Sequence, residues 1–297
     1  MTAHDSAIPA RPVAVGGTAL AALGVLAFSF SFPATAWSLG GFGPWTAAGL
    51  RGVLAAVVAG ACLLACRVPL PDRGTWPGLL TVAAGCVVGF PLLTTLALQS
   101  SSTAHSAVVI GLLPLATAAV AALRSGGRPS RGFWWAALAG AAVVLAFTVQ
   151  QSRGALGRAD VFLFAALAVC AAGYAEGGRL ARVMPGWQVI AWGVVAAFPV
   201  SALTAGLALA AEPVHAGPRA LAGLAYTAAV SQFGGFVLWY RGMAEIGVPK
   251  ASQLQLAQPL LTLGWAVLVL GERLPAAAPV AALAVLGCIA ATQRARG

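Results

Sequence analysis

The sequence predicts an all-α integral membrane protein with ten transmembrane helices in two inverted five-helix repeats. Three observations carry this expectation. The chain of 297 residues is 60% hydrophobic and only 8% charged, with a mean hydropathy of +0.90. Its 17 basic and 7 acidic side chains are too few to cover the surface of a water-soluble protein of this length. Second, those charges fall mainly between apolar runs, each about 20 residues long, the length a helix needs to cross hydrocarbon. Third, the second half of the chain repeats the first in a single register.

The runs are expected at 13–36, 45–66, 77–98, 104–123, 132–151, 160–180, 187–210, 219–241, 249–270 and 276–293. The first, followed by PATAW at 33–37, imitates a secretory leader. Its apolar stretch from Val13 to Phe32 is longer than a leader's core, so it reads as an uncleaved first span. The connectors GGFGP (40–44), RVPLPDRG (67–74), RSGGRPSRG (124–132) and QQSRGALGRAD (150–160) are too short to hold a soluble domain.

The duplication appears when 109–139 is laid over 254–284, a shift of 145 residues without gaps. Pro114 meets Pro259, Thr117 meets Thr262, Gly126 meets Gly271 and Arg128 meets Arg273. This divides the chain into repeats at 1–151 and 152–297. Tandem copies of an odd number of spans must face opposite ways. The basic residues agree. With the N-terminus inside, Arg11, Arg67, Arg73, Arg124, Arg128, Arg131, Arg179, Arg182, Arg241, Lys250, Arg294 and Arg296 lie on the cytoplasmic side. Only Arg153, Arg158, Arg219 and Arg273 lie outside.

The net charge of +10 does not point to nucleic acid, because the basic residues are scattered over short connectors with no continuous stripe. They suit an anionic bilayer surface. The five cysteines all fall in apolar runs, without metal spacing, and read as small helix- or lipid-facing residues. No metal or cofactor motif is present, so none is expected. Neither are the HExxH, paired-aspartate, phosphate-loop or Ser-His-Asp groupings that an intramembrane enzyme would need.

Residues that break the apolar pattern are the candidate site. Arg51 lies about two turns inside the second span. A guanidinium in hydrocarbon is costly and either faces a polar cavity, as an anchor for an anion or carboxylate or as a gate, or snorkels to the interface. Gln255, Gln258 and Thr262 share one face of the ninth span. They either line a polar cavity or bind neighbouring helices. Pro259, and Pro114 in the other repeat, free a backbone carbonyl and are candidate hinges. Gln232 sits mid-way along the eighth span. Trp239 and Tyr240 read as interfacial belt residues. His105 reads as a solvated residue at a span edge, and Glu176 with Arg179 as an i,i+3 pair at the interface. Gly85/Gly89 and Gly173/Gly177 have the spacing that permits close helix packing.

On these residues the chain resembles the EamA-type ten-span members of the drug/metabolite transporter superfamily. The resemblance rests on the proline-centred fourth span of each repeat, ending in GERLP in the second copy. It rests also on Arg51 within AAGLRGVLAA and on the charged tail after span ten. The first copy reads GGRPS where such repeats commonly read GERLT, and the second has no counterpart of Arg51. The resemblance implies a basket of helices that exports a small organic metabolite across the inner membrane by alternating access. Related small multidrug exporters use a buried glutamate in their first span. Here that span offers only Ser29, Ser31 and Thr35, so a neutral, zwitterionic or anionic, amino-acid-like solute fits better than a lipophilic cation. A non-transporting scaffold or receptor is the alternative, against which the short connectors count. The sequence does not set the oligomeric state.

Overall fold

A computed structural model describes residues 15–125, 130–151, 156–246, 254–255 and 257–294. The described elements are all helical. Eight runs are long and apolar enough to span a bilayer: Gly16–Leu39, Pro44–Ala65, Arg73–Ala97, Thr103–Arg124, Arg131–Gln150, Arg158–Leu180, Gly186–Ala211 and Pro218–Met243. Two shorter apolar helices, Ala257–Leu270 and Ala277–Ala291, complete the ten. The expected starts of spans one and nine, at 13 and 249, lie outside the described residues. Every other boundary falls within a few residues of its expected place.

Alternate spans run antiparallel, which defines two faces. The N-terminal face carries the start of span one and the turn at 181–185. The opposite face carries the turns at 40–43, 98–102, 212–217 and 271–276. The first and seventh turns meet there, where the His215 N–H donates to the Gly41 carbonyl at 2.8 Å.

Three of the five spans of each repeat pack on their equivalents, and the other two cross between repeats. Span two packs along span seven, span four against span nine, and span five against span ten. Span one packs on span eight, and its counterpart, span six, packs on span three. Gly49 of span two lies against Ala205, Gly52 against Ser201 and Gly60 against Val195. The numbers rise on one helix as they fall on the other, so the equivalent helices are antiparallel and the repeats inverted. Lipid gives no hydrophobic reward for joining helices, so close van der Waals approach of small residues holds such contacts. At the crossing of spans three and six, Gly85 lies directly on the Val169 carbonyl and against Gly173. A methyl at Gly85 would run into that carbonyl.

Several spans are interrupted, and the sequence explains where. Spans three and eight each carry a π-helical stretch, Ala83–Gly89 and Tyr226–Gly234. Shifting the first by 145 residues gives 228–234, so the distortion is a property of the repeat. Span four breaks at residues 111–112, between Thr103–Ile110 and Leu113–Ser125, just before Pro114. Span one breaks at Phe30, between Val15–Ser29 and Ser31–Leu39. Pro33 has no N–H to return to the Ser29 carbonyl, which weakens the helix there. Its equivalent in span six is Gly178, which keeps its N–H, and span six is unbroken from Arg158 to Leu180.

Candidate functional site

Arg51 is buried, with 7% of its surface exposed. It therefore does not snorkel. Its Nε donates to the Gln232 Oε1 at 2.8 Å, and its Nη2 to the Ser231 Oγ at 3.2 Å. The Ser231 hydroxyl shares a hydrogen bond with the Ser31 hydroxyl at 2.6 Å. Gln232, 1% exposed, uses its Nε2 to donate to the Cys86 carbonyl at 3.1 Å. Ser231 and Gln232 belong to the π stretch of span eight, and Cys86 to that of span three. A π turn displaces backbone carbonyls from the ordinary i→i−4 ladder and re-aims side chains, and such turns concentrate at functional sites. Here the two stretches meet through one glutamine, whose oxygen is thereby fixed toward the guanidinium. The described ion pairs all lie elsewhere, so among the described residues Arg51 is held by neutral acceptors only.

Span nine turns its polar face inward. Ala257, Leu260, Gly264, Val267 and Leu268 are exposed on one side. Gln255, Gln258, Pro259 and Thr262 lie on the other, where they line a cavity with Pro114, Phe32 and Ile110. The cavity holds about 20 Å³, room for a water but far short of the roughly 300 Å³ of a small-molecule site. This cavity is therefore too small, in this conformation, to hold a solute. The two candidate hinges meet across this cavity, with the Pro259 ring 3.3 Å from where a side chain on Gly111 would start.

Thr262, 2% exposed, has a structural partner that sequence reading did not foresee. Its hydroxyl lies 2.8 Å from the Ser29 carbonyl and 3.0 Å from the Gln258 carbonyl. The first is the carbonyl that Pro33 leaves without its helical donor. The Trp265 Nε1 donates to the Ser29 Oγ at 3.0 Å, and the Tyr226 hydroxyl to the Ala27 carbonyl at 2.9 Å. Phe30, at the break, is edge-packed on Trp37, Tyr226 and Trp265. The break in span one is thus stapled to spans eight and nine by side chains that supply its missing hydrogen bonds.

Three expectations about the span ends are corrected. Trp239 and Tyr240 are buried, not interfacial, with Tyr240 packed on Gly186 and Phe236. Glu176 is also buried and pairs with Arg124 of span four at 2.8 Å as well as with Arg179. His105 is not solvated: its Nε2 lies 2.7 Å from the Asp160 Oδ1. The i,i+3 pair of Glu176 with Arg179 is present as expected, but Arg124 for Glu176 and Asp160 for His105 come from the other repeat, and linear spacing carries no trace of them. Ser231 is a polar residue of span eight beside Gln232, and Ser31 a polar residue of span one, but their contact with each other, that of Ser231 with Arg51, and the role of the Cys86 carbonyl were not foreseen.

A ten-helix membrane protein with inverted repeats and a charged network at their junction is the architecture of a secondary transporter. The sequence pattern of the EamA-like transporter family matches residues 15–149 and again 157–292, and the chain belongs to that family. It is 41% identical over 272 residues to the "Uncharacterized transporter YdeK" of Bacillus subtilis (strain 168), covering 92% of this chain and 95% of that one. It is 33% identical over 132 residues to the "Uncharacterized transporter YcbK" of the same organism, covering 43% of this chain and 40% of that one. A solved crystal structure superposes with a TM-score of 0.63 at 25% identity, covering 93% of this chain and 97% of the other. The protein is a multi-pass membrane transporter.

Proposed function

We propose that this transporter exports a small carboxylate-bearing metabolite, zwitterionic or anionic and amino-acid-like, across the cell membrane by alternating access, with both termini cytoplasmic. The observation that carries the solute class is Arg51. A guanidinium buried among neutral acceptors lacks the counter-charge that normally offsets its desolvation. An arriving carboxylate supplies it, and supplies it bidentately. Arg51 anchors the carboxylate, and Gln232 holds the guanidinium in position from behind. Gln255 and Gln258 present amide groups to the polar remainder of the solute. Thr262 completes that wall when span one moves. Pro114 and Pro259 are the hinges about which spans four and nine part, and the repeats 1–151 and 152–297 are the moving halves. Export is the direction that the resemblance carries, and the basic connectors on the N-terminal face support its assignment to the cytoplasm.

Flux into proteoliposomes from a panel of zwitterionic, anionic, neutral and cationic metabolites tests this. Carboxylate-bearing solutes should move, and Arg51→Gln should cut their flux at least about tenfold, the weight of one charge-assisted contact. Flux confined to cations or neutral solutes, or an unaffected Arg51→Gln variant, would overturn the solute class.

A further inference from the structure

We propose that His105 and Asp160 form a proton-binding site that couples opening of the opposite face to protons, an inference that rests on the alternating-access reading. The pair joins the start of span four in the first repeat to the start of span six in the second, with Nε2 and Oδ1 2.7 Å apart. Asp160 is 2% exposed, and the His105 side chain 11%. The second Asp160 oxygen accepts the Gly157 N–H at 2.8 Å, which pins the carboxylate. The imidazole stacks on Phe147, with ring centres 5.4 Å apart, beside the apolar side chains of Ala104, Ala107 and Val108.

Two other carboxylates cross between repeats on the same face. Glu212 accepts the Trp45 and Thr46 N–H groups at 3.3 and 2.8 Å. Glu272 accepts those of Thr103 and Ala104 at 2.9 and 3.0 Å. Both satisfy helix N-termini, whose amides do not titrate in water. The His105–Asp160 contact differs because its donor can gain or lose a proton, and histidine is the side chain whose charge ordinarily changes nearest neutrality. The equivalents of Asp160, Glu212, Glu272 and His105 under the 145-residue shift are Val15, Arg67, Gly127 and Lys250. The other face therefore has no copy of this set in its sequence.

Opening the face parts the two repeats and so parts the pair. With the proton on, the contact is an ion pair; with it off, it is a hydrogen bond from a neutral imidazole to the carboxylate, without the second charge. The protonated contact is the stronger, so a proton from the adjoining water keeps the face shut, and opening returns one to that water. Thermodynamic linkage makes the dependence reciprocal. Among the described residues, the charged groups around the pair are these. Span six adds exposed Arg158 beside Asp160, and the 271–276 turn adds exposed Arg273 together with Glu272, which lies over the amides next to His105. Spans nine and five bring no charged residue to this end, and span ten carries its only one, Arg294, at the other.

The test is the separation of spin labels at Gln99→Cys and Leu156→Cys, measured by double electron–electron resonance on the full chain in lipid nanodiscs between about pH 5.5 and 8.5. Cys62, Cys66 and Cys288 are replaced by alanine. The wild-type pair should shift toward the longer separation as pH rises. The shift should vanish in His105→Gln, which keeps a neutral hydrogen bond, and in Asp160→Asn. If Asp160→Asn does not fold, the His105→Gln arm decides alone. No pH response in the wild type, or one that persists in His105→Gln, overturns the proposal. If solute flux survives in that case, the transport reading stands without it. A normal pH response in a chain that carries no solute supports the proton site and removes the transport reading instead.

Discussion

Arg51 and its acceptors show how one charge is kept inside a bilayer. Its partner Gln232 makes two hydrogen bonds of different kinds, one to the guanidinium and one to the Cys86 carbonyl. Gln232→Leu removes both and leaves a buried charge with only a hydroxyl. It should destabilise the protein by about 3–5 kcal/mol, the usual cost of stripping one partner from a buried charge. Thermal unfolding in detergent would read this as a lower midpoint together with lost membrane abundance. Gln258→Leu should behave differently. Gln258 is half-buried on the central cavity, so its loss should impair flux and leave abundance unchanged. Equal losses of both would assign Gln258 to folding. The residues of this site were partly legible in advance. Arg51, Gln232, Gln255, Gln258 and Thr262 stood out because an apolar run has no use for them unless something inside is polar. Ser31, Ser231 and Asp160 were visible as polar residues in apolar runs, but not the roles they take, because those depend on the side chains they meet across the repeat junction.

The helices are interrupted where the backbone loses a donor or changes its pitch. Pro33 explains why Thr262 is needed by span one. With alanine at position 33 an N–H returns to the Ser29 carbonyl, and the Thr262 hydroxyl becomes redundant there. Thr262→Val should cost about 1–2 kcal/mol in the wild-type background, the price of an unsatisfied buried carbonyl. It should cost clearly less in Pro33→Ala, as a double-mutant cycle in thermal stability would show. Equal costs in both backgrounds would mean that Thr262 acts elsewhere. Span nine ends in a different way. Gly271 adopts φ of +68°, and the Glu272 N–H returns to the Ala266 carbonyl at 3.0 Å, a glycine-capped helix end. This turn aims the Glu272 carboxylate at span four, which gives the Glu of GERLP a physical purpose. Span number, length and order were legible because each run must cover the same thickness of hydrocarbon. The π stretches were not, since the polar residues of YTAAVSQFG and the apolar AAGCVVG carry no signal of helix pitch; only their recurrence at one register marks them.

At the scale of the molecule, inversion of the repeats places antiparallel copies of spans two, four and five in contact, and function is expected where the repeats stop matching. Arg51 meets no second arginine, Pro33 no second proline, and the carboxylates of the opposite face no copies on the N-terminal face. The two ends are thus unequal, as a directional carrier requires. Orientation is testable without a solute: a cysteine replacing exposed Leu156 should react with an impermeant thiol reagent added outside intact cells, and one replacing Ser130 should not. The reverse pattern would turn the chain over in the membrane. The most direct test of the central claim is a cryo-electron microscopy structure of the protein loaded with a solute that it carries. A solute carboxylate is expected within about 3 Å of the Arg51 guanidinium, at charge-assisted hydrogen-bond distance, in a cavity enlarged between spans four and nine. A solute bound elsewhere, with Arg51 still held only by Gln232 and Ser231, would contradict it.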